Sequence, residues 1–289
     1  MFKISKFFFK IILLLIIILV LIFVYARYIE PYRLVTTELT TENKHIANDA
    51  GDITIAVFSD THFNDSGNFT FEHFEKVIDT INDRNPDIIL FLGDLIDDYS
   101  NHQGDTAKIS EALSKLSARL GKFAVYGNHD HGGGAYMSYR RIMENGGFIV
   151  FENEFVALND RKLVLIGLDD FVLGNGDTSV VSRSVKPDHF NLVFSHVPDV
   201  IDDLLDDNID FMISGHTHGG QINFGQVNSE RYRHIFFPPY GRNYIQGRYD
   251  FENDANTTLY VNSGIASTIL PLRFMAPPEV TFITITPAS

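Results

Sequence analysis

A chain of 289 residues with 45% hydrophobic content can bury one substantial core, or a core shared by two sheets, without help from disulfides. It contains no cysteine, which excludes a disulfide framework, a thiolate zinc site and a cysteine nucleophile. The formal net charge is −14, and the first ten residues carry Lys3, Lys6 and Lys10 with no acid; the remainder therefore stands at −17, has no Lys/Arg stripe, and is a poor partner for nucleic acid.

Phe7 to Ala26 is almost wholly apolar, with Lys10 its only charge, and is long enough for one bilayer crossing. The lysines before it place residues 1–6 in the cytoplasm and everything after residue 26 outside the cell membrane, by the positive-inside bias. The competing reading is a signal peptide cleaved after Ala26 in Val24-Tyr25-Ala26, giving a secreted protein. The long Ile/Leu core and bulky Tyr25 favour a retained single-pass anchor. Residues 27–51 are polar and threonine-rich and read as a juxtamembrane stalk, in which Tyr32 to Leu39 could add an edge strand. Residues 52–289 form the globular domain.

Strands and helices alternate from Ile53 onward. Apolar spacing predicts strands at Ile53–Phe58, Ile88–Leu92 and Phe123–Tyr126, with helices at Phe69–Arg84, Thr106–Leu120 and Ala135–Asn145. That alternation points to a parallel sheet with right-handed crossovers. Phe148–Phe151, Glu154–Leu158 and Lys162–Leu168 then read as an antiparallel meander opening a second sheet. Strands return at Asn191–Phe194 and Asp210–Ile213, followed by glycine- and tyrosine-rich loops from Gly219 to Asp254 and closing strands at Leu259–Ser263 and Glu279–Thr286. The expected architecture is α/β, with two facing mixed β-sheets flanked by helices, preceded by one transmembrane helix.

Five polar fragments sit at the ends of these strands: Asp60-Thr61-His62, Gly93-Asp94-Leu95-Ile96-Asp97, Gly127-Asn128-His129-Asp130, Ser195-His196 and Gly215-His216-Thr217-His218. Ligands at the carboxyl ends of neighbouring strands converge on one crevice in an open α/β sheet. A two-metal site needs one shared carboxylate and two or three further donors per cation, and Asp94, following a strand and a glycine, suits the shared position. Mixed carboxylate, imidazole and amide donors favour Mn, Fe or Zn over Mg or Ca. Singly, these fragments are weaker: Gly-Asp-x-x-Asp is common in turns, Asp60 could cap a helix, and a lone His196 would read as a core histidine.

The ordered set resembles the calcineurin-like metallophosphoesterase superfamily across residues 53–286. His218-Gly219-Gly220-Gln221-Ile222, Pro239-Tyr240-Gly241, Gly247-Arg248-Tyr249 and Pro277-Pro278-Glu279-Val280 resemble its branch of membrane-associated bacterial phosphoesterases of the YkuE and YaeI type, which includes relatives acting on UDP-diacylglucosamine. The resemblance implies two divalent metal ions, one held by Asp60, His62, Asp94 and His218, the other by Asp94, Asn128, His196 and His216. It further implies that His129 faces the leaving-group oxygen, that Asp97 hydrogen-bonds His129, and that a metal-bridged hydroxide attacks phosphorus. The expected substrate is a phosphomonoester or a pyrophosphate or phosphodiester bond near the bilayer, lipid-linked substrates among them. The alternatives are a nucleotide or nucleic-acid phosphodiesterase, which the acidity disfavours, and a non-catalytic metal-stabilised envelope binding protein, which needs neither His129 nor Asp97. His131 lies beside the fragments, and Arg242, Arg248 and Arg273 are candidate phosphate clamps. His45, His73, His102, His189 and His234 read as surface residues.

Overall fold

The computed structural model describes residues 2–46, 51–64, 69–132, 135–223, 238–268 and 270–288. Part of the expected loop region from Gly219 to Asp254, including His234, lies outside them. The strands in chain order are β1 (Val35–Asn43), β2 (Ile53–Phe58), β3 (Ile88–Phe91), β4 (Gly121–Val125), β5 (Ile149–Phe151), β6 (Glu154–Leu158), β7 (Leu163–Gly167), β8 (Phe190–Phe194), β9 (Phe211–Ser214), β10 (Gly247–Asp250), β11 (Thr258–Val261) and β12 (Glu279–Pro287). Among the described residues they form two six-stranded mixed sheets, ordered β1-β12-β2-β3-β4-β5 and β10-β11-β9-β8-β7-β6.

Side-chain alternation along the strands builds the layers. On β2, Ile53, Ile55 and Val57 join a central cluster with Leu165, Leu192, Phe194 and Ile213, so this cluster is the seam between the two sheets. Ala56 and Phe58 face the other way, onto the helices α2 (Phe71–Asn82), α3 (Thr106–Ser114) and α5 (Tyr136–Asn145), while the one-turn helix α4 (Asn128–His131) follows β4. On the far side, Val164, Ile166 and Val193 pack with Val180 and Val181 of α6 (Ser179–Ser184) and with Val200 and Ile201. Burying a side chain such as Phe194 contributes about 1.5–3 kcal/mol, so strand runs that are apolar on both faces are explained by layers on both sides.

The helices follow from spacing and caps. In α2, Phe74, Val77, Ile78 and Ile81 are the buried positions of one face, and Thr70 with His73 forms its capping box. Helix α3 starts where Asp105 accepts the Ala107 N–H, and it ends at Ser114, short of the expected Leu120. Leu116 beyond its end is nonetheless buried.

Three expectations change. Gly247–Asp250, inside the stretch expected to be loops, is strand β10, paired antiparallel with β11. Phe148–Phe151 does not open the second sheet: β5 pairs parallel with β4, Phe123 opposite Ile149, because α5 supplies the crossover that returns the chain in the same direction. Antiparallel pairing begins with β6 and β7, joined through Lys162 in the left-handed region at φ 52°. Within the segment read as a stalk, the edge strand offered at Tyr32–Leu39 is present but runs later, as β1 from Val35 to Asn43, paired parallel with β12 from Val35–Glu279 to Asn43–Pro287. Its threonines and glutamates alternate half-buried and exposed, as an edge strand tolerates.

The apolar N-terminal segment is one helix, α1 (Phe2–Tyr28), long and apolar enough to cross a membrane, and its side chains from Phe7 to Val24 are exposed.

Candidate metal centre

Every fragment predicted at a strand end reaches one cluster. Asp60 and His62 follow β2, Asp94 and Asp97 follow β3, Asn128 and His129 follow β4, His196 follows β8, and His216 and His218 follow β9. The side chains do not arrive by strand alternation. Asp60 (φ 55°), His62 (φ 37°), Asp94 (φ 58°), His216 (φ 70°) and His218 (φ 52°) all occupy the left-handed region that L residues avoid. Strain repeated at five such positions is what a binding site retains when surrounding bonds over-determine it. Those bonds are present: the Asp60 N–H donates to Gly93, His62 to Asp94, Gly215 to His196 and Ala266 to Asp60, at 2.8–3.1 Å.

Glycine makes the close approach possible at one point in particular. A Cβ on Gly127 would sit 2.2 Å from Asp94 Oδ1 and 2.6 Å from Asp94 N. Only a residue without that atom lets the loop after β4 lie against this carboxylate.

The imidazoles share one arrangement. His196 Nδ1 meets the Leu92 carbonyl at 2.8 Å, His218 Nδ1 the Ala266 carbonyl at 2.9 Å, His216 Nε2 the Pro239 carbonyl at 2.8 Å, and His62 Nδ1 the Asp97 carboxylate at 3.2 Å. Each ring thus anchors one nitrogen outward and turns the other toward the cluster, as metal-ligating histidines do. Inside, His218 Nε2 lies 3.5 Å from Asp60 Oδ1, His62 Nε2 lies 3.5 Å from Asp94 Oδ2, and His196 Nε2 lies 3.3 Å from Asp94 Oδ2. His196 Nε2 is also 3.3 Å from Asn128 Oδ1 and 3.1 Å from His216 Nδ1.

Three donor sets have mutually close atoms: Asp60, His62 and His218; His62, Asp94 and His129; and Asp94, His196 and His216. Asp94 belongs to two of them. Asp60 Oδ1 and His62 Nε2 are buried and make no hydrogen bond. Buried polar atoms without partners are costly, and a cation between these donors would satisfy both. The residues fit a divalent metal site.

Electrostatics agree. Burial opposes charge on the Asp60 and Asp94 carboxyls, yet the surrounding imidazoles hold both well below the usual carboxylate range. Burial likewise lowers His62 and His196, but the neighbouring carboxylates outweigh it and raise each to about 10. His216 and His218 are pushed down by burial, to about 4 and about 3. The cluster demands positive charge beyond what two neutral imidazoles give.

His129 is partly exposed; its main-chain N–H donates to Asp94 Oδ1 at 2.9 Å and its Nδ1 meets the carbonyl oxygen of Asp97. The Asp97 carboxylate is 3.8 Å from His129 Nδ1 and nearer to His62. The Asp97–His129 link therefore runs through the main chain, because the carboxylate turns to His62.

Residues without a predicted role complete the site. Asp130, the last letter of Gly-Asn-His-Asp, is buried and accepts N–H groups of Asp94, Leu95 and Gly127 at 2.7–3.1 Å, with the Tyr99 hydroxyl at 3.0 Å. Burial and Asp94 push its carboxyl up to about 7. Asp170, after β7, turns one oxygen to the N–H groups of Val172, Leu173 and Gly174, and its Oδ1 is buried without a partner. Their signal, an acid at a strand or turn end, resembles any capping residue. Of the candidate clamps, Arg273 is fully buried and donates to the carbonyls of Ser263, Ala276 and Ala266, and Arg248 pairs with Asp250. His189 is buried, bonded to Asp188 and Asn159, rather than a surface residue.

The family model for calcineurin-like phosphoesterases matches residues 53–220, the stretch that carries every one of these donors. The chain is 40% identical over 264 residues to the metallophosphoesterase YkuE of Bacillus subtilis, covering 90% of this chain and 88% of that one. It is 28% identical over 205 residues to the phosphodiesterase YaeI of Escherichia coli, covering 70% and 71%. It is 27% identical over 315 residues to the UDP-2,3-diacylglucosamine pyrophosphatase LpxG of Chlamydia muridarum, covering 90% and 92%. The strand-end donors, the family match and the extent of these similarities together establish that the chain belongs to the calcineurin-like phosphoesterase family of metal-dependent hydrolases.

Proposed function

We propose that the chain is a membrane-anchored dinuclear phosphoesterase whose catalytic domain lies outside the cytoplasmic membrane. One divalent ion would be held by Asp60, His62, Asp94 and His218, and the second by Asp94, Asn128, His196 and His216, with Mn, Fe or Zn suited to these donors. The observation that carries the reading is Asp94, whose carboxylate lies within 3.5 Å of both His62 Nε2 and His196 Nε2.

When bound, the two cations supply Lewis acidity toward a phosphoryl oxygen and lower the pKa of an attacking water. The protein does the rest. Outward anchors on four imidazoles fix which nitrogen faces the ions. The Asp97 carbonyl holds His129 Nδ1, so Nε2 is the nitrogen presented to the leaving-group oxygen. Asp130 keeps the loops after β3 and β4 in register, which holds His129 over the cluster.

Lipid-linked phosphate or pyrophosphate near the bilayer is the favoured substrate class. Placement by α1 supports it, as does likeness to a relative named for a lipid-nucleotide pyrophosphatase. Net charge argues against nucleic acid. Retention of the anchor is supported by the continuity of α1 through Ala26, whose carbonyl accepts the Arg273 N–H. Cleavage there would cut a helix already docked on the domain.

The test is an aryl phosphate assay extended to phosphodiesters, nucleotides and lipid-linked phosphates. Turnover should vanish with a chelator and return with manganese. A folded, metal-loaded protein inert on every phosphoester would overturn the reading.

A further inference from the structure

We propose that Tyr28 and Ile29 at the end of α1, with Leu270 and Met275 on the adjoining loop, form a collar seated at the headgroup–acyl boundary of the bilayer. The collar presents the metal centre to phosphate carried by lipids at that surface. The inference rests on reading α1 as a membrane anchor and goes beyond it by fixing which face of the domain meets the lipid.

Four large apolar side chains are exposed here, Tyr28 at 60%, Ile29 at 51%, Leu270 at 51% and Met275 at 57%. The two segments that carry them meet where the helix end docks on the loop: the Arg273 N–H donates to the Ala26 carbonyl at 2.9 Å, and the Tyr25 and Phe274 rings meet edge to face at 6.3 Å. Glu30 accepts the Ala276 N–H at 2.6 Å, pinning the other end of the loop. Met275 takes a left-handed conformation, φ 58°, that leaves its side chain exposed. In water that placement costs both strain and apolar exposure; against acyl chains the exposure is favourable.

The surroundings have an interfacial composition. Tyr25, Tyr28 and Tyr32 sit around the helix exit, and the Arg27 guanidinium lies 4.9 Å over the Tyr28 ring. Tyrosines and cations at this level are what a bilayer boundary collects. No linker lets the domain swing away, since α1 ends at Tyr28 and β1 begins at Val35, with the turn Glu30–Tyr32 between. The collar is also tied to the site: the Ala266 carbonyl receives both the Arg273 guanidinium and His218 Nδ1.

The chain has no tryptophan, so single tryptophans report one position each. Full-length Leu270→Trp and Met275→Trp would be placed in phosphatidylcholine–phosphatidylglycerol vesicles containing lipids brominated either near the headgroup or near the acyl-chain ends. Leu15→Trp within α1 and Ile149→Trp on β5 are the references. Expected is a blue shift at 270 and 275 with loss of emission to headgroup-level bromine, loss of emission at Leu15→Trp to chain-end bromine, and Ile149→Trp unchanged by either. Quenching at Leu15→Trp but not at 270 or 275 overturns the collar and leaves the anchor intact. No quenching at Leu15→Trp overturns both. As a second readout, Leu270→Glu with Met275→Glu should slow turnover of vesicle-borne phospholipid phosphate several-fold while soluble aryl phosphate is unaffected; equal rates on both substrates contradict the collar.

Discussion

Asp97 supports two histidines with two different oxygens: its carboxylate lies 3.2 Å from His62 Nδ1, and its main-chain carbonyl meets His129 Nδ1. A side-chain substitution therefore separates the two functions. Asp97→Ala should leave His129 held and weaken the metal subsite that uses His62, by about 10–100-fold in affinity. Activity measured against free manganese should shift to higher metal and recover at saturation. A loss that saturating metal does not repair would place the Asp97 carboxylate in the chemistry instead.

His129 and Asp94 should part company in the same way. His129→Ala is expected to keep its metal and lose about 10²–10⁴ in turnover, the range for a general acid. Asp94→Asn should lose both, because Asp94 lies between two donor sets. Metal content by mass spectrometry, beside kcat, distinguishes them.

Gly127→Ala tests the packing beneath the site. Its Cβ would meet Asp94 Oδ1 at 2.2 Å, so the variant should lose about 1–3 kcal/mol of stability and bind metal weakly. Gly132→Ala is the control, since its Cβ would find only Leu173 Cδ1 at 4.0 Å, and it should stay within about 0.5 kcal/mol of wild type. Denaturant melts with and without manganese read both effects.

The strand-end fragments are legible in the sequence because each is local: an apolar run, a turn residue, then Asp, His or Asn. The alternation of strands and helices is legible for the same reason. What escapes is long-range. Asp130 acts through the main chain of Asp94 and Leu95, and Glu30 bonds Ala276 across 246 positions. The sequence offers edge strand β1 only as far as Leu39, because Thr40-Thr41-Glu42-Asn43 carries no apolar residue to extend the period. The direction of β5 depends on the crossover through α5, and its three residues carry no mark of it. Arg273 looks like a phosphate clamp by composition, and only its burial among carbonyls shows otherwise.

His131 and Asp169 pair at 2.6 Å in a largely buried setting. Burial lowers the imidazole, but the Asp169 carboxylate outweighs it and raises the folded value above 6.5. Such a group contributes stability that is complete below the unfolded value and is lost as pH rises through the folded one. Asp169→Asn should therefore cost about 1–3 kcal/mol in mildly acidic buffer, with the gap to wild type narrowing as the buffer becomes alkaline. Thermal melts of both proteins across that range decide it; a gap that widens with pH would show that the pair is not an imidazolium–carboxylate contact.

Anomalous diffraction from manganese-loaded crystals tests the two-ion centre most directly. Two peaks about 3.5–4 Å apart are expected, flanking the Asp94 carboxylate, one beside Asp60, His62 and His218 and the other beside Asn128, His196 and His216. A single peak, or peaks away from Asp94, would contradict the account.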